Sequence, residues 1–379
     1  MQAIKTWAGI DVSAKTLAVC RWRDGNQEER QLANDAAGHG ELVKWLGRNA
    51  RACVEATGVY HVQLALSLRT AGVELMIVNP RVAKDFARAS SKRSKTDRVD
   101  AQVLLEFVRR MPFQEWEAPG QATLELRELG RRIGELTHTL VDEKNRLHAR
   151  KAAGISAAVV TDVKEHVAQI EKRIRQVERA AYEVVQSDED LREQYAGLMA
   201  ARGIAKRTAI LLLTELAVLD PSMTVRQLVA YAGLDPRVFE SGTSVQKPPR
   251  ISKRGNPRLR AILYMSALSA IRHDRGARLF YARLVVRGKK RKQAIVAVMR
   301  KLLHGIWIVL QRRVSFDNSL LFAASLAQAE SSDSAVAAHQ PEPSQDHPKG
   351  RSVAEELPQQ LDPGSAEATH SRRKRSKAA

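Results

Sequence analysis

Cysteine is scarce in this 379-residue chain: Cys20 and Cys53 are the only two. Both lie in apolar runs that read as buried strands, which excludes a disulfide framework and fits a reducing, cytoplasmic compartment. No stretch approaches the roughly 18 continuous apolar residues of a membrane span, and the N-terminal MQAIKTWAGIDVSAK lacks an apolar core with a cleavage site. The chain therefore reads as soluble and unexported, with no membrane partner. His39, His61, His138, His148 and His166 are scattered without ligand spacing, so a zinc site is not expected. Trp7, Trp22, Trp45, Trp116 and Trp307 read as core or interface anchors. Acidic residues are outnumbered, 42 Asp and Glu against 62 Lys and Arg, and the net charge of +20 favours a polyanionic partner, nucleic acid before membrane or acidic protein.

The segments IKTWAGIDV, TLAVCRWRD and QEERQLAND carry strand signals separated by short polar turns, as in successive antiparallel hairpins. HGELVKWLGRN then reads as a helix with Leu42, Trp45 and Leu46 on one face, and ARACVEA as a strand buried on both sides. YHVQLALSLRTAG is a second amphipathic helix closed by Gly72, VELMIVNP another buried strand, and RVAKDFARASS a third helix. This order predicts an α/β domain with a mixed sheet flanked by helices. Thr96 is placed to cap a further helix, DRVDAQVLLEFVRRM.

From Leu126 the apolar positions Leu126, Leu129, Ile133, Leu136 and Leu140 alternate steps of three and four, the seam of a coiled-coil helix. A second seam runs through Val163, Val167, Ile170, Ile174, Val177, Ala181 and Val184 after an interruption containing Gly154. The two helices fold back as a hairpin or pair between subunits; the pattern suits both. GLMAARGIAKRTAILLLTELAVL has the outline of a helix-hairpin-helix element whose turn, Arg202, Gly203 and Lys206, would hold duplex backbone through N–H groups. Ala205 stands where a glycine is usual, and a tight turn between packed helices fits the same residues. Past Ala329 the composition shifts to Ser, Pro, Gln, Glu and Asp and ends in SRRKRSKAA, which reads as a disordered tail with a basic tip. The boundaries are an N-terminal domain over 1–118, coiled-coil helices over 119–195, a mainly α domain over 196–325 and the tail over 326–379.

Four acidic residues carry the candidate chemistry. Asp11 ends the first apolar strand and Glu55 occupies the equivalent place in ACVEATG. Carboxylates lodged among apolar strand residues cost desolvation energy unless paired or bound to a cation. Asp97 and Asp100, three apart on a helix, share a face that would meet them across one cleft. Taken alone, that pair also fits the acidic first turn of a surface helix. Hard oxygens without His or Cys partners favour Mg²⁺ or Mn²⁺, and a cluster of this kind suits phosphoryl transfer with metal clamped on attacking and leaving oxygens.

GIDVSAKT around Asp11, VEATGVY around Glu55, SKRSKTDRVDAQVL around Asp97 and Asp100, and YAGLDPRVFESGTSVQKPPRISKRGNPRLRAILY near 231–264 together resemble the insertion-sequence transposases with a RuvC-like DEDD domain and a second, serine-bearing transposase domain. The resemblance implies a ribonuclease-H-like fold for the first domain, divalent metal on the four acids, and excision and insertion of a mobile DNA element. It implies that Ser241, with Ser244 as the alternative, attacks DNA to form a phosphoserine link, and that Lys247, Arg250, Lys253 and Arg254 hold phosphates. It also implies a structured guide RNA from the element's noncoding end and a homo-oligomer, dimer or tetramer. Two other functions suit parts of the pattern. A junction-resolving nuclease needs only the four acids, and a non-catalytic basic nucleic-acid-binding protein needs none of them.

Overall fold

The computed structural model describes residues 6–47, 49–56, 59–90, 96–154, 156–241 and 245–337. The N-terminal part comprises β1 (Thr6–Val12), β2 (Thr16–Arg23), β3 (Asn26–Ala33), α1 (Ala36–Leu46), β4 (Ala50–Glu55), α2 (His61–Thr70), β5 (Glu74–Val78), α3 (Pro80–Ala89) and α4 (Asp97–Arg110). Every strand and helix expected there is present. The five strands form one sheet in the order β3-β2-β1-β4-β5. β1 runs antiparallel to β2 and parallel to β4, and β4 runs parallel to β5. This mixed order is the ribonuclease-H-like arrangement that the resemblance implied.

Strand periodicity divides the sheet residues between two layers. Ala8, Ile10 and Val12 of β1 and Ala52 and Val54 of β4 join Leu42, Leu46, Leu64 and Leu68 in a core against α1 and α2. The opposite face, with Trp7, Cys20 and Cys53, packs against Ala101, Leu104, Leu105 and Val108 of α4. Both cysteines are buried and unbridged, as expected. Gly9 lies on that face between Cys20 and Cys53 in register. A Cβ there would stand 2.1 Å from the Leu105 nitrogen and 2.2 Å from the Ala101 oxygen. Gly9 is thus what lets α4 lie directly on β1. Overpacking against backbone that has no rotamer to yield costs at least about 3 kcal/mol, the upper part of the usual range. Gly9→Ala is therefore expected to lower the denaturant midpoint markedly, with loss of the α4 docking visible in amide exchange of residues 101–108.

The rest of the described chain is helical apart from one ribbon. It contains α5 (Gln121–Ala153), α6 (Ala157–Ser187), α7 (Glu189–Met199), α8 (Lys206–Leu216), α9 (Val225–Tyr231), β6 (Pro236–Ser241), β7 (Val245–Ile251), α10 (Pro257–His273), α11 (Arg275–Val286), α12 (Arg291–Arg312) and α13 (Asn318–Ala337). The two seams meet within one chain. Leu136, Ile170 and Ile174 form a cluster backed by Leu140 and Val177, and Lys144 pairs with Glu171 at 2.8 Å, so α5 and α6 fold back as a hairpin. A larger core joins Leu126 and Ile133 of α5 to α7, α8, α10 and α12, with Trp307 buried among its members. Among the described residues α12 alone is long and apolar enough to cross a membrane by composition. Its Ile295, Val298, Leu302, Ile306 and Leu310 belong to that core. The mainly α domain also carries an antiparallel ribbon, β6 with β7. α13 continues through Ala337, past the composition break, and the remainder of the tail lies outside the described residues.

Candidate active site

Asp11 and Glu55 come to the same edge of the sheet by register. β1 and β4 are parallel and pair Ile10 with Val54, so the carboxylates that follow sit side by side at the C-terminal ends of adjacent strands. Alternation puts both on the face covered by α4. In parallel sheets this end is where ligands are usually met. Thr96 caps α4 as expected, its side chain accepting from the Val99 N–H at 3.3 Å, and Asp97 and Asp100 occupy the first turn. Because Gly9 seats α4 on β1, that turn overhangs the strand ends. Asp97 is exposed and the other three are half-buried.

The electrostatics show that the four share one neighbourhood. Burial, then the charges of Asp100, Asp97 and Glu55, push the Asp11 carboxyl from its ordinary 3.8 up to about 6, with the Val12 backbone opposing. A strand aspartate held among three other acids binds a proton more readily than a free aspartate does. The same set consists of hard oxygen donors, so a divalent cation fits it chemically by relieving that repulsion. As the side chains stand, no three His, Cys, Asp or Glu groups among the described residues close on a common point. Next to Asp97 in the chain, Arg98 pairs with Glu29 of β3.

The serine patch lies elsewhere. Ser241 is the last residue of β6, paired in register with Val245, while Ser244 lies outside the described residues. Lys247 is on β7, and Arg250, Lys253 and Arg254 follow at its end and in the next loop, the last three exposed. That loop is tightly built. Asn256 caps α10 through the Arg258 and Leu259 N–H groups and donates to Glu215 at 2.5 Å and to the Tyr231 hydroxyl at 3.1 Å. The Ser252 hydroxyl donates to Asp235 at 2.5 Å, and Lys253 adopts φ +53°. The sequence reading missed the Glu215–Asn256 link, although Asn followed by Pro is a legible helix start. It also missed Arg81, whose Nη1 on α3 donates to the Arg254 carbonyl at 3.0 Å and ties the sheet domain to the serine patch.

The proposed backbone-binding turn is partly committed to the fold. Arg202 and Lys206 are exposed, but the Arg202 N–H donates to the Asn318 side chain at 2.9 Å. Gly203, at φ +99°, is pressed against α10, where a Cβ would approach the Ala270 nitrogen to 2.8 Å. The glycine therefore serves packing, and the exposed cations remain for contact.

Comparison with known proteins reaches both halves of this arrangement. The profile of the DEDD-type IS110 transposase matches residues 8–150, and that of the transposase IS116/IS110/IS902 family matches residues 195–282. The chain belongs to this family of transposases. It is a DNA transposase/recombinase, and its relatives carry the same stamp. A pilin gene-inverting protein of Moraxella bovis is 26% identical over 323 residues, covering 83% of the transposase and 99% of the relative. The putative transposase y4rJ of Sinorhizobium fredii (strain NBRC 101917 / NGR234) is 35% identical over 132 residues, 33% of each chain. Among solved structures, T. thermophilus RuvC in complex with Holliday junction substrate aligns with 27% of the transposase and 90% of its own chain at 16% identity, with a TM-score of 0.21, too slight a likeness to carry weight.

Proposed function

We propose that the transposase cuts and rejoins DNA with two separate groups, a metal-holding carboxylate cluster and a serine. The observation that supports this best is the convergence of Asp11, Glu55, Asp97 and Asp100, felt in the raised Asp11 carboxyl, in a chain matched by transposase profiles over both domains. A DEDD domain implies dependence on a divalent metal in general, and hard oxygen ligands favour Mg²⁺, with Mn²⁺ as substitute. When bound, such an ion withdraws charge from phosphoryl oxygens and eases loss of a hydroxyl proton. The chain's own residues supply the rest. The Ser241 hydroxyl oxygen attacks a backbone phosphorus, the bond to the leaving strand oxygen breaks, and a phosphoserine ester conserves the phosphodiester energy. A hydroxyl of the incoming strand then attacks that phosphorus and releases the serine. Lys247, Arg250, Lys253 and Arg254 hold flanking phosphates, and Arg202 and Lys206 add non-specific grip.

Two partners complete the proposal. The net charge of +20 suits a nucleic-acid surface larger than one duplex, in keeping with a structured guide RNA encoded beside the element. Because carboxylates and serine sit on different elements, a homo-oligomer, dimer or tetramer, in which the carboxylates of one subunit serve the serine of another is the arrangement proposed. The inverting activity in the Moraxella relative's name suggests that inversion lies within the same chemistry. In a reconstituted reaction with donor DNA, target DNA, Mg²⁺ and the flanking noncoding RNA, recombinant product is expected, falling at least about tenfold when the RNA is omitted. Equal product without RNA contradicts the guide, and cleavage of branched DNA with no joined product favours a junction-resolving nuclease.

A further inference from the structure

A cavity of about 300 Å³ lies where the sheet domain meets α5, lined by Ala56, His61, Trp116, Arg127, Arg131 and Val218 among others. Ala56 directly follows Glu55, so the cavity adjoins the carboxylate end of β4. The volume sits at the low end of ordinary small-molecule sites, roughly 300–1,000 Å³, with room for a single nucleotide unit. One of its walls is cationic. Arg127 and Arg131 are one helical turn apart on α5, and the Nε of each is buried without a hydrogen-bond partner. Burial and the neighbouring Arg131 charge oppose the charged form of Arg127, while Tyr231, Glu215 and Glu128 favour it. Arg131 reaches Glu128 through Nη1 at 3.0 Å, which leaves its Nε donor unmatched. Buried donors without acceptors are costly, and two side by side are answered best by an oxyanion with several acceptor oxygens. Trp116, half-buried in the same lining, supplies an aromatic surface.

Cationic donors and an indole around one nucleotide-sized space suit a phosphate together with its base. We propose that this cavity takes one nucleotide unit, turned out of a bound nucleic-acid strand, with its phosphate on Arg127 and Arg131 and its base against Trp116. The inference rests on the nucleic-acid-acting role proposed above. It adds a site that anchors the strand beside the carboxylates.

The test is photocrosslinking of the full-length protein to single-stranded oligonucleotides carrying 5-iododeoxyuridine at successive positions, with the adducts mapped by mass spectrometry. One position is expected to label the peptide containing Trp116. Arg127→Gln with Arg131→Gln is expected to cut that adduct at least tenfold while labelling elsewhere persists. Val218→Trp, which fills the cavity and leaves both charges in place, is expected to do the same, with circular dichroism confirming the fold of each variant. Labelling elsewhere but never at the cavity overturns the inference and leaves the recombinase role standing. Failure to bind any oligonucleotide overturns both. Labelling by free 5-iodo-dUMP but not by the oligonucleotides assigns a free-nucleotide site and overturns the strand reading.

Discussion

Asp11→Asn is expected to abolish strand cleavage while making the metal-free protein more stable at neutral pH. The two effects have one origin. In the folded chain the Asp11 carboxyl is raised to about 6 by burial and by Asp100, Asp97 and Glu55, against an ordinary 3.8. The folded state therefore holds that proton more tightly than the unfolded state. The stabilisation this brings is full below about pH 3.8 and is lost as pH rises through 6, so at pH 7.5 the metal-free fold bears a charged carboxylate among like charges. Linkage over such a shift, discounted because the group is half exposed, gives roughly 1–2 kcal/mol. Asparagine keeps the shape and removes the charge. In EDTA at pH 7.5 the variant is expected to melt a few degrees above the wild type, with the gap closing towards pH 4. Cleavage of a labelled element end is expected to fall by at least about 10²–10³-fold, the scale of losing one preorganised electrostatic group. DNA affinity is expected to change little, because phosphate contacts come from the basic residues. Lower stability of the variant at neutral pH would show that Asp11 is held by ordinary structural bonding.

The second large effect concerns the nucleophile. With donor DNA and Mg²⁺, the wild type is expected to give a covalent protein–DNA adduct that survives denaturation. Ser241→Ala is expected to give none, with recombination reduced on the order of 10³-fold or more, whereas Ser244→Ala retains the adduct. Position supports the choice: Ser241 terminates a paired strand, and the ribbon leads directly into a loop bearing Lys253 and Arg254, braced by Asn256 and Ser252. A paired strand end holds its backbone where flanking cations find the same phosphate at each encounter. An adduct lost in Ser244→Ala instead would move the nucleophile by three residues. Cleavage without any adduct would replace it with water.

Much of the N-terminal domain was legible because charge in an apolar strand is a visible expense. Asp11 and Glu55 stood out against GIDV and CVEA for that reason, and Thr96 announced the start of α4 by capping chemistry. What could not be read was which helix lies on which strand. Gly9 looks like any small residue in β1, yet it decides that α4 rather than α3 covers that strand, and hence that Asp97 and Asp100 reach Asp11. The two heptad seams were plain, but an apolar stripe pairs equally well within a chain or between chains. Contacts such as Lys144 with Glu171 resolve it as a hairpin. The ribbon stayed hidden because β7 contains Pro248 and Pro249, which lack the N–H that an inner strand needs. In a two-stranded ribbon every strand is an edge, so the prolines are tolerated. Links between residues far apart, Asn256 to Glu215 and Arg81 to Arg254, have no sequence period at all.

The central claim is that Asp11, Glu55, Asp97 and Asp100 act as one divalent-metal centre, and Mn²⁺ binding followed by electron paramagnetic resonance tests it most directly. The wild type is expected to take up Mn²⁺ saturably, with Mg²⁺ competing. Asp11→Asn and Glu55→Gln, each shown to be folded, are expected to weaken that uptake at least tenfold, with the loss of Asp100 doing the same. Undiminished Mn²⁺ binding in the folded Asp11→Asn and Glu55→Gln proteins would contradict the account and leave the four acids a structural cluster.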